Sequence, residues 1–342
     1  MGALCCSAPY DTPKELQTKW YTSFYQGLPR MEGKVVAVTG STTGTGFICA
    51  RDCAKLGAAV VLLNRPSERA DAALAAIQAE VPGAKVTSVP CDLQRFASVR
   101  EAGAQLRKDL ESTGLDVLCC NAGVMALKDA ATEDGCDVQM QTNHLSHFLL
   151  ASEVWPLLSK AAEERNEARV VNHSSLARKG GKLEAKYLGK SGGQLGGDGG
   201  SMPFSGPRWE RYHQTKLANM AFTYAMRDRC AKSGSKVKAI VAHPGVAATN
   251  LQVTSVQDGA MGSASANMVV SQSAEDGAIG IMRGCCDPAA SSGDFFGPTG
   301  MGGMKGMAEL LPQAPEEKLA DEASRTMLWE ESEKATGAKF DI

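Results

Sequence analysis

From residue 34 to residue 242 the sequence alternates short strand-like runs with stretches of helical periodicity, and few folds accept that order. The strand-like runs lie at 34–39, 58–63, 85–90, 115–120, 168–172 and 237–242. Helical patterns cover 45–56, 67–80, 96–111, 135–158 and 212–232. The run at 58–63 is apolar without alternation, as a strand buried on both faces should be. This spacing predicts an α/β fold: a doubly wound parallel sheet of Rossmann type, helices on both faces, in a single domain. The expected organisation is an extension over 1–32, the sheet domain over 33–310 and a helical C-terminal segment over 311–342 packed on it. Tyr10, Trp20, Tyr21, Phe24 and Tyr25, set among polar residues, predict a short amphipathic helix in the extension.

Composition narrows the function classes. Hydrophobic residues make up 43% of the 342 and charged residues 22%, enough for a substantial core. A net charge of −2 without a long basic run gives no support to a nucleic-acid partner. No apolar stretch reaches the roughly 18 residues of a membrane-spanning helix. The eleven cysteines are scattered, with adjacent pairs at Cys5-Cys6, Cys119-Cys120 and Cys285-Cys286. None has a paired Cys-x-x-Cys spacing for zinc, so reduced thiols in a cytoplasmic protein are expected. The opening Met1-Gly2-Ala3-Leu4-Cys5-Cys6 adds an alternative: myristate on Gly2 and palmitate on Cys5 and Cys6 would hold the chain on a cytosolic membrane surface. An unmodified start with two free thiols is the plainer reading.

The turn Thr39-Gly40-Ser41-Thr42-Thr43-Gly44-Thr45-Gly46 sits between the first strand and the first helix. Its glycines permit a tight turn and let a diphosphate approach N–H groups at the helix start. Gly40, Thr42, Thr43, Gly44, Thr45 and Gly46 are therefore candidate cofactor contacts. The second strand ends at Leu63-Asn64-Arg65, where a carboxylate would bind a ribose diol. Arg65 instead offers a forked guanidinium suited to a 2′-phosphate, which favours NADP(H) over NAD(H), although Glu68 lies close by. Asp92, after the third strand, can accept a bond from an adenine amino group. Asn121-Ala122-Gly123, after the fourth, gives a cofactor room and a side chain able to tie strands. A turn-forming role stays open for each.

Tyr212-His213-Gln214-Thr215-Lys216 sets a phenol and an ammonium four residues apart, on one face of a helix. A neighbouring cation favours the phenolate and draws a phenol, with its ordinary pKa of about 10, toward the working range. Ser174-Ser175 follows the fifth strand. With the glycine turn, Asp92, Asn121-Ala122-Gly123, Asn143 and Pro244-Gly245, these motifs make residues 33–250 resemble the short-chain dehydrogenase/reductase family. Thr142-Asn143-His144-Leu145-Ser146-His147, Val171-Asn172-His173-Ser174-Ser175, His243-Pro244-Gly245 and Leu328-Trp329-Glu330-Glu331-Ser332 are similar to its retinol-dehydrogenase-like branch.

The resemblance implies hydride transfer between a nicotinamide and an apolar alcohol or carbonyl, such as a retinoid, sterol or long-chain aldehyde. Tyr212 would then exchange the proton, and Lys216 would lower its pKa and bind the nicotinamide ribose. Ser175 would bond the substrate oxygen, and Asn143 would hold a water leading from Lys216 to solvent. Ala122, Pro244, Gly245 and Thr249 join the cofactor contacts on the same ground, and a homodimer is compatible with it. A silent NADP(H)-binding sensor or scaffold and a protochlorophyllide-reductase-like enzyme are the alternatives.

The chain departs from that family between Ser175 and Tyr212, which are 37 positions apart. The glycine-rich stretch 176–211, with Tyr187, Leu188, Met202, Phe204 and Trp209, reads as a mobile apolar cover beside the substrate pocket. A surface excursion is its alternative. The five histidines give no metal site, and His144 and His147 read as packing. Met301, Met304 and Met307 are expected to line the pocket, and a terminal helix over 315–335 to close over it.

Overall fold

The computed structural model describes residues 11–199, 204–263 and 271–342. The candidate acylation sites Gly2, Cys5 and Cys6 lie outside the described residues, as do Tyr10 and Met202. The strands are β1 (Val35–Thr39), β2 (Ala59–Asn64), β3 (Val86–Pro90), β4 (Val117–Cys120), β5 (Ala168–His173), β6 (Val237–Ala242), β7 (Phe295–Gly300) and β8 (Lys305–Leu310). They form one sheet in the order β3-β2-β1-β4-β5-β6-β7-β8. Pairing is parallel from β3 through to β7, and β8 returns antiparallel.

Helices cover both faces because both faces are apolar. Those used below are α1 (Tyr21–Gln26), α2 (Gly44–Lys55), α3 (Glu68–Glu80), α4 (Phe96–Asp109), α5 (Val138–Met140), α6 (Ser146–Arg165), α7 (Pro207–Ser233), α8 (Asn250–Gln257), α9 (Ala274–Cys286), α10 (Gln313–Leu319) and α11 (Glu322–Thr336). Alternate residues of β1 enter opposite cores. Val35 and Ala37 pack with residues of α4, α6 and α7, whereas Val36 and Val38 pack with residues of α2 and α9. Each of the valines taken from water contributes about 1.5–3 kcal/mol, so neither face tolerates exposure. Among the described residues, no helix is long and apolar enough to cross a membrane.

Several sequence expectations need correction. α7 begins five residues before Tyr212, at Pro207, where a missing N–H costs the helix nothing, and it ends at Gly234 with φ +76°. β7 and β8 were not legible, because Phe-Phe-Gly-Pro-Thr-Gly and Lys-Gly-Met-Ala-Glu-Leu carry breakers and little periodicity. Of the methionines there, only Met304 borders the main cleft; Met301 is exposed, and Met307 packs against the α2–α9 core. The terminal helices do not close over the cleft. α11 instead lays Trp329 against Phe148, Phe222 and Phe340, with the Arg229 guanidinium 3.9 Å from its ring centroid.

The extension is tied to the body through charge. Asp276, at the start of α9, accepts hydrogen bonds from the backbone N–H groups of Lys19, Trp20 and Tyr21. The Tyr21 hydroxyl donates to Asp52 of α2. Trp329→Ala should cost about 3–5 kcal/mol of folding free energy by emptying the α11 contact. The check is the midpoint of denaturant unfolding; a loss below about 1 kcal/mol would contradict the packing described.

Candidate active site

The strand order reverses between β1 and β4, and the carboxyl ends of the parallel strands border a cleft of about 1070 Å³ on that edge. The glycine turn forms its floor. Gly40 holds φ +66°, and a Cβ there would stand 2.8 Å from Ala122. Gly46 lies behind the cleft: a Cβ on it would come within 2.2 Å of Asn121 Nδ2, so it serves the fit of α2 against the sheet. Thr42, Thr43, Gly44 and Thr45 face the cleft as expected.

Amide side chains fix the turn. Ser41 N–H donates to Asn64 Oδ1, and Asn64 Nδ2 donates to Ser41 Oγ. Asn121 Nδ2 donates to the carbonyls of Thr39 and Gly40, while its Oδ1 accepts from Thr45 Oγ1 and His173 Nδ1. One carboxamide thus ties β1, α2 and β5 at the end of β4. Thr249 packs against Gly44, and Asn250 Nδ2 donates to Thr43 Oγ1, so the segment after Pro244-Gly245 flanks the turn. Arg65 and Arg69 border the cleft at the end of β2, and Asp92 at the end of β3. Arg69, in the first turn of α3, was missed in the sequence.

The reacting groups lie at the other end. Tyr212, Ser175 and Lys216 all border the cleft, beside Gly123 and Val124. Burial pushes the Tyr212 hydroxyl up to about 12, partly opposed by the Ser175 hydroxyl. Lys216 Nζ donates to the His173 carbonyl at 3.1 Å and lies 5.7 Å from the Tyr212 ring centroid. Its own pKa falls to about 8, because burial disfavours the ammonium. Burial is the largest influence on the Tyr212 hydroxyl, and the Ser175 hydroxyl is the group that opposes it. His173, which orients both Asn121 and Lys216, was not foreseen; burial holds it neutral, at about 3.

Asn143 sits in a π-helical turn, Gln141–Leu145, between α5 and α6. Its Oδ1 accepts from Val124 N–H, and its Nδ2 donates to the Val124 carbonyl and to Thr215 Oγ1. Its side-chain bonds thus go to protein groups and hold the loop after β4 against α7. A Cβ on Gly123 would stand 3.2 Å from Asn143 Oδ1 and 3.4 Å from Lys216 Nζ. A side chain there would fill the space beside the ammonium.

The described part of the glycine-rich stretch is tied to the body by side chains on both sides of it. Asp129 accepts from the N–H groups of Gly193, Leu195 and Gly196. Buried Arg211 pairs with Asp137 and donates to the carbonyls of Leu127 and Gly196. Tyr187 and Leu188 join the main core, whereas Phe204 and Trp209 do border the cleft. With Met125, Leu176, Met261 and Met304 they give its reacting end an apolar wall. A dinucleotide fits these residues: N–H groups and a helix start at the turn, guanidinium groups at one end and an open floor at Gly123.

The short chain dehydrogenase family model matches residues 34–188. An uncharacterised oxidoreductase of Schizosaccharomyces pombe is 34% identical over 72% of this chain and 70% of its own length. Human retinol dehydrogenase 13 is 34% identical over 64% of this chain, which spans only 60% of that enzyme. A crystal structure of a Mycobacterium paratuberculosis protein superposes with a TM-score of 0.71 at 29% identity, covering 93% of this chain and 98% of that one. Two more distant structures share the fold, one from Shigella flexneri complexed with NADP and one from Brucella melitensis complexed with NADH. They have TM-scores of 0.57 and 0.54 at 17% and 19% identity, covering 78% and 77% of this chain and 96% and 95% of theirs.

The buried ammonium carries a pH signature. Lys216 releases its proton at about pH 8 in the folded chain and at 10.5 when unfolded. Below pH 8 both states are protonated and the fold bears the full cost of the buried charge. Between the two values that cost is relieved, so this group's contribution to stability rises with pH. The difference in unfolding free energy between wild type and Lys216→Met should therefore move toward wild type across that window. A flat difference would overturn the assignment.

Proposed function

The chain belongs to the short-chain dehydrogenase/reductase family, in its retinol-dehydrogenase-like branch, and on that premise we propose an NADP(H)-dependent enzyme that reduces an apolar carbonyl with Tyr212 as proton donor. The observation carrying this reading is the convergence of Tyr212, Ser175 and Lys216 on the apolar end of one cleft. A bound nicotinamide dinucleotide supplies the hydride, or accepts it in the reverse reaction. Every other part of the chemistry falls to the chain itself.

Ser175 donates to the substrate oxygen and stabilises charge growing there. Tyr212, kept protonated at neutral pH by burial, transfers its proton to that oxygen. Lys216 stands close enough to stabilise the phenolate left behind. The protonated phenol suits reduction; oxidation would need it ionised first. Asn143 and His173 position this group rather than touch substrate, through Val124, Thr215 and the carbonyl that receives Lys216. The N–H groups of the glycine turn hold the diphosphate, and Arg65 with Arg69 receives a 2′-phosphate, no carboxylate bordering the cleft at the end of β2. Trp209, Phe204 and the neighbouring methionines exclude water and favour a retinoid, sterol or long-chain aldehyde.

Tyr212→Phe should lower carbonyl-dependent NADPH oxidation by about 10²–10⁴-fold while NADPH binding persists. Activity surviving that change contradicts the mechanism, and a wild-type chain that binds NADPH but turns over no carbonyl in a broad panel points to a sensor. Arg65→Asp, alone and with Arg69→Asp, should raise the KM for NADPH by tenfold or more, about 1.4 kcal/mol, and leave that for NADH far less changed. Equal effects on the two cofactors would remove the NADP(H) assignment.

A further inference from the structure

We infer that Cys49, Cys119 and Cys285 form a three-thiolate site for a soft d10 metal ion of the Cu(I) or Cd(II) class. Their sulfur atoms lie within 4.8 Å of one another, and all three residues are buried. Cys49 Sγ and Cys285 Sγ are 3.8 Å apart. Metal–sulfur bonds of about 2.3 Å place the corners of a trigonal site about 4 Å apart, so small side-chain shifts complete the triangle. The residues come from α2, β4 and α9, elements that only the folded sheet brings together.

The surroundings select the ion. A second sulfur pair, Cys53 and Cys286, stands 4.0 Å apart between the same two helices, and Cys286 Sγ lies 3.3 Å from Met31 Sδ. The donor set is thus soft and belongs to an apolar core, where hard oxygen-seeking ions have no partners. A dry three-sulfur set suits an ion content with three ligands better than zinc, which takes four. The Arg169 guanidinium, ion-paired with Glu167, reaches the end of α9 and donates to the carbonyls of Gly284 and Asp287, which fixes the end of the helix that carries Cys285.

Binding is balanced without redox change. Three thiols release three protons to solvent, each sulfur donates a lone pair, and the ion keeps its oxidation state. The bound ion would clamp α2, the helix that starts at the glycine turn, to β4 and α9. The competing account is that these cysteines are only small core residues.

The probe is Cd(II) alone, titrated into the reduced full-length chain under anaerobic conditions. The inference expects one tight equivalent, an ultraviolet thiolate-to-metal charge-transfer band, a ¹¹³Cd resonance in the all-sulfur range and a raised Tm. Cys119→Ala and Cys285→Ala should weaken binding at least tenfold and abolish the band. Cys91→Ala, Cys136→Ala and the double change Cys5→Ala/Cys6→Ala should leave it intact. The wild-type cadmium resonance needs no variant to fold: a shift typical of oxygen or nitrogen ligands overturns the site. So does absent binding, binding that survives Cys119→Ala, or binding lost in the Cys5→Ala/Cys6→Ala chain.

Discussion

Burial of β1 and β4 on both faces is the constraint from which the rest of this molecule follows. Val36 and Val38 must be covered on one side, Val35 and Ala37 on the other, so the connections have to cross the sheet as helices. Covering both faces forces the strand order to reverse, and the reversal leaves a crevice at the carboxyl ends of β1 and β4 that no helix can fill. The glycine turn, Asp92, Asn121, Ser175 and Pro244 reach the same cleft because each follows a parallel strand.

Within that crevice, polar groups are held by polar groups rather than by packing. Asn121 joins two strands and a helix through one carboxamide, and His173 passes that order on to Lys216 through its own carbonyl. Each bond would be modest in water, but the site is buried, where an unmade bond costs more than a made one returns. The same dryness sets the protonation states: the phenol keeps its proton, and the lysine gives its own up more easily. Four residues of helical spacing put Tyr212 and Lys216 on one face; burial decided which of them carries the charge.

The glycine-rich stretch and the C-terminal helices show how tertiary contacts redirect segments of ambiguous sequence. Glycines at 192–197 look like freedom, yet Asp129 and Arg211 use the backbone groups they expose as ligands. Gly192 itself lies so close to Cys136 O that a Cβ would come within 2.4 Å. The terminal helix expected to close over the pocket instead gives Trp329 to the aromatic cluster of α6, α7 and the C-terminus.

The sequence by itself determined the element order from β1 to β6, the parallel sheet and most of the cleft, from the glycine turn and Arg65 through Asn121 to Ser175, Tyr212 and Lys216. These residues are legible because local rules place them: the turns follow strands, and a spacing of four sets Tyr212 and Lys216 on one face of a helix. Only the tertiary structure decided what depends on distant partners. The antiparallel β8 needs an edge offered by β7, and Asn143 draws its role from Val124 and Thr215. The pairing of Cys49 with Cys285 spans 236 positions. No local spacing rule reaches that far, because such contacts exist only once the sheet has brought its helices together.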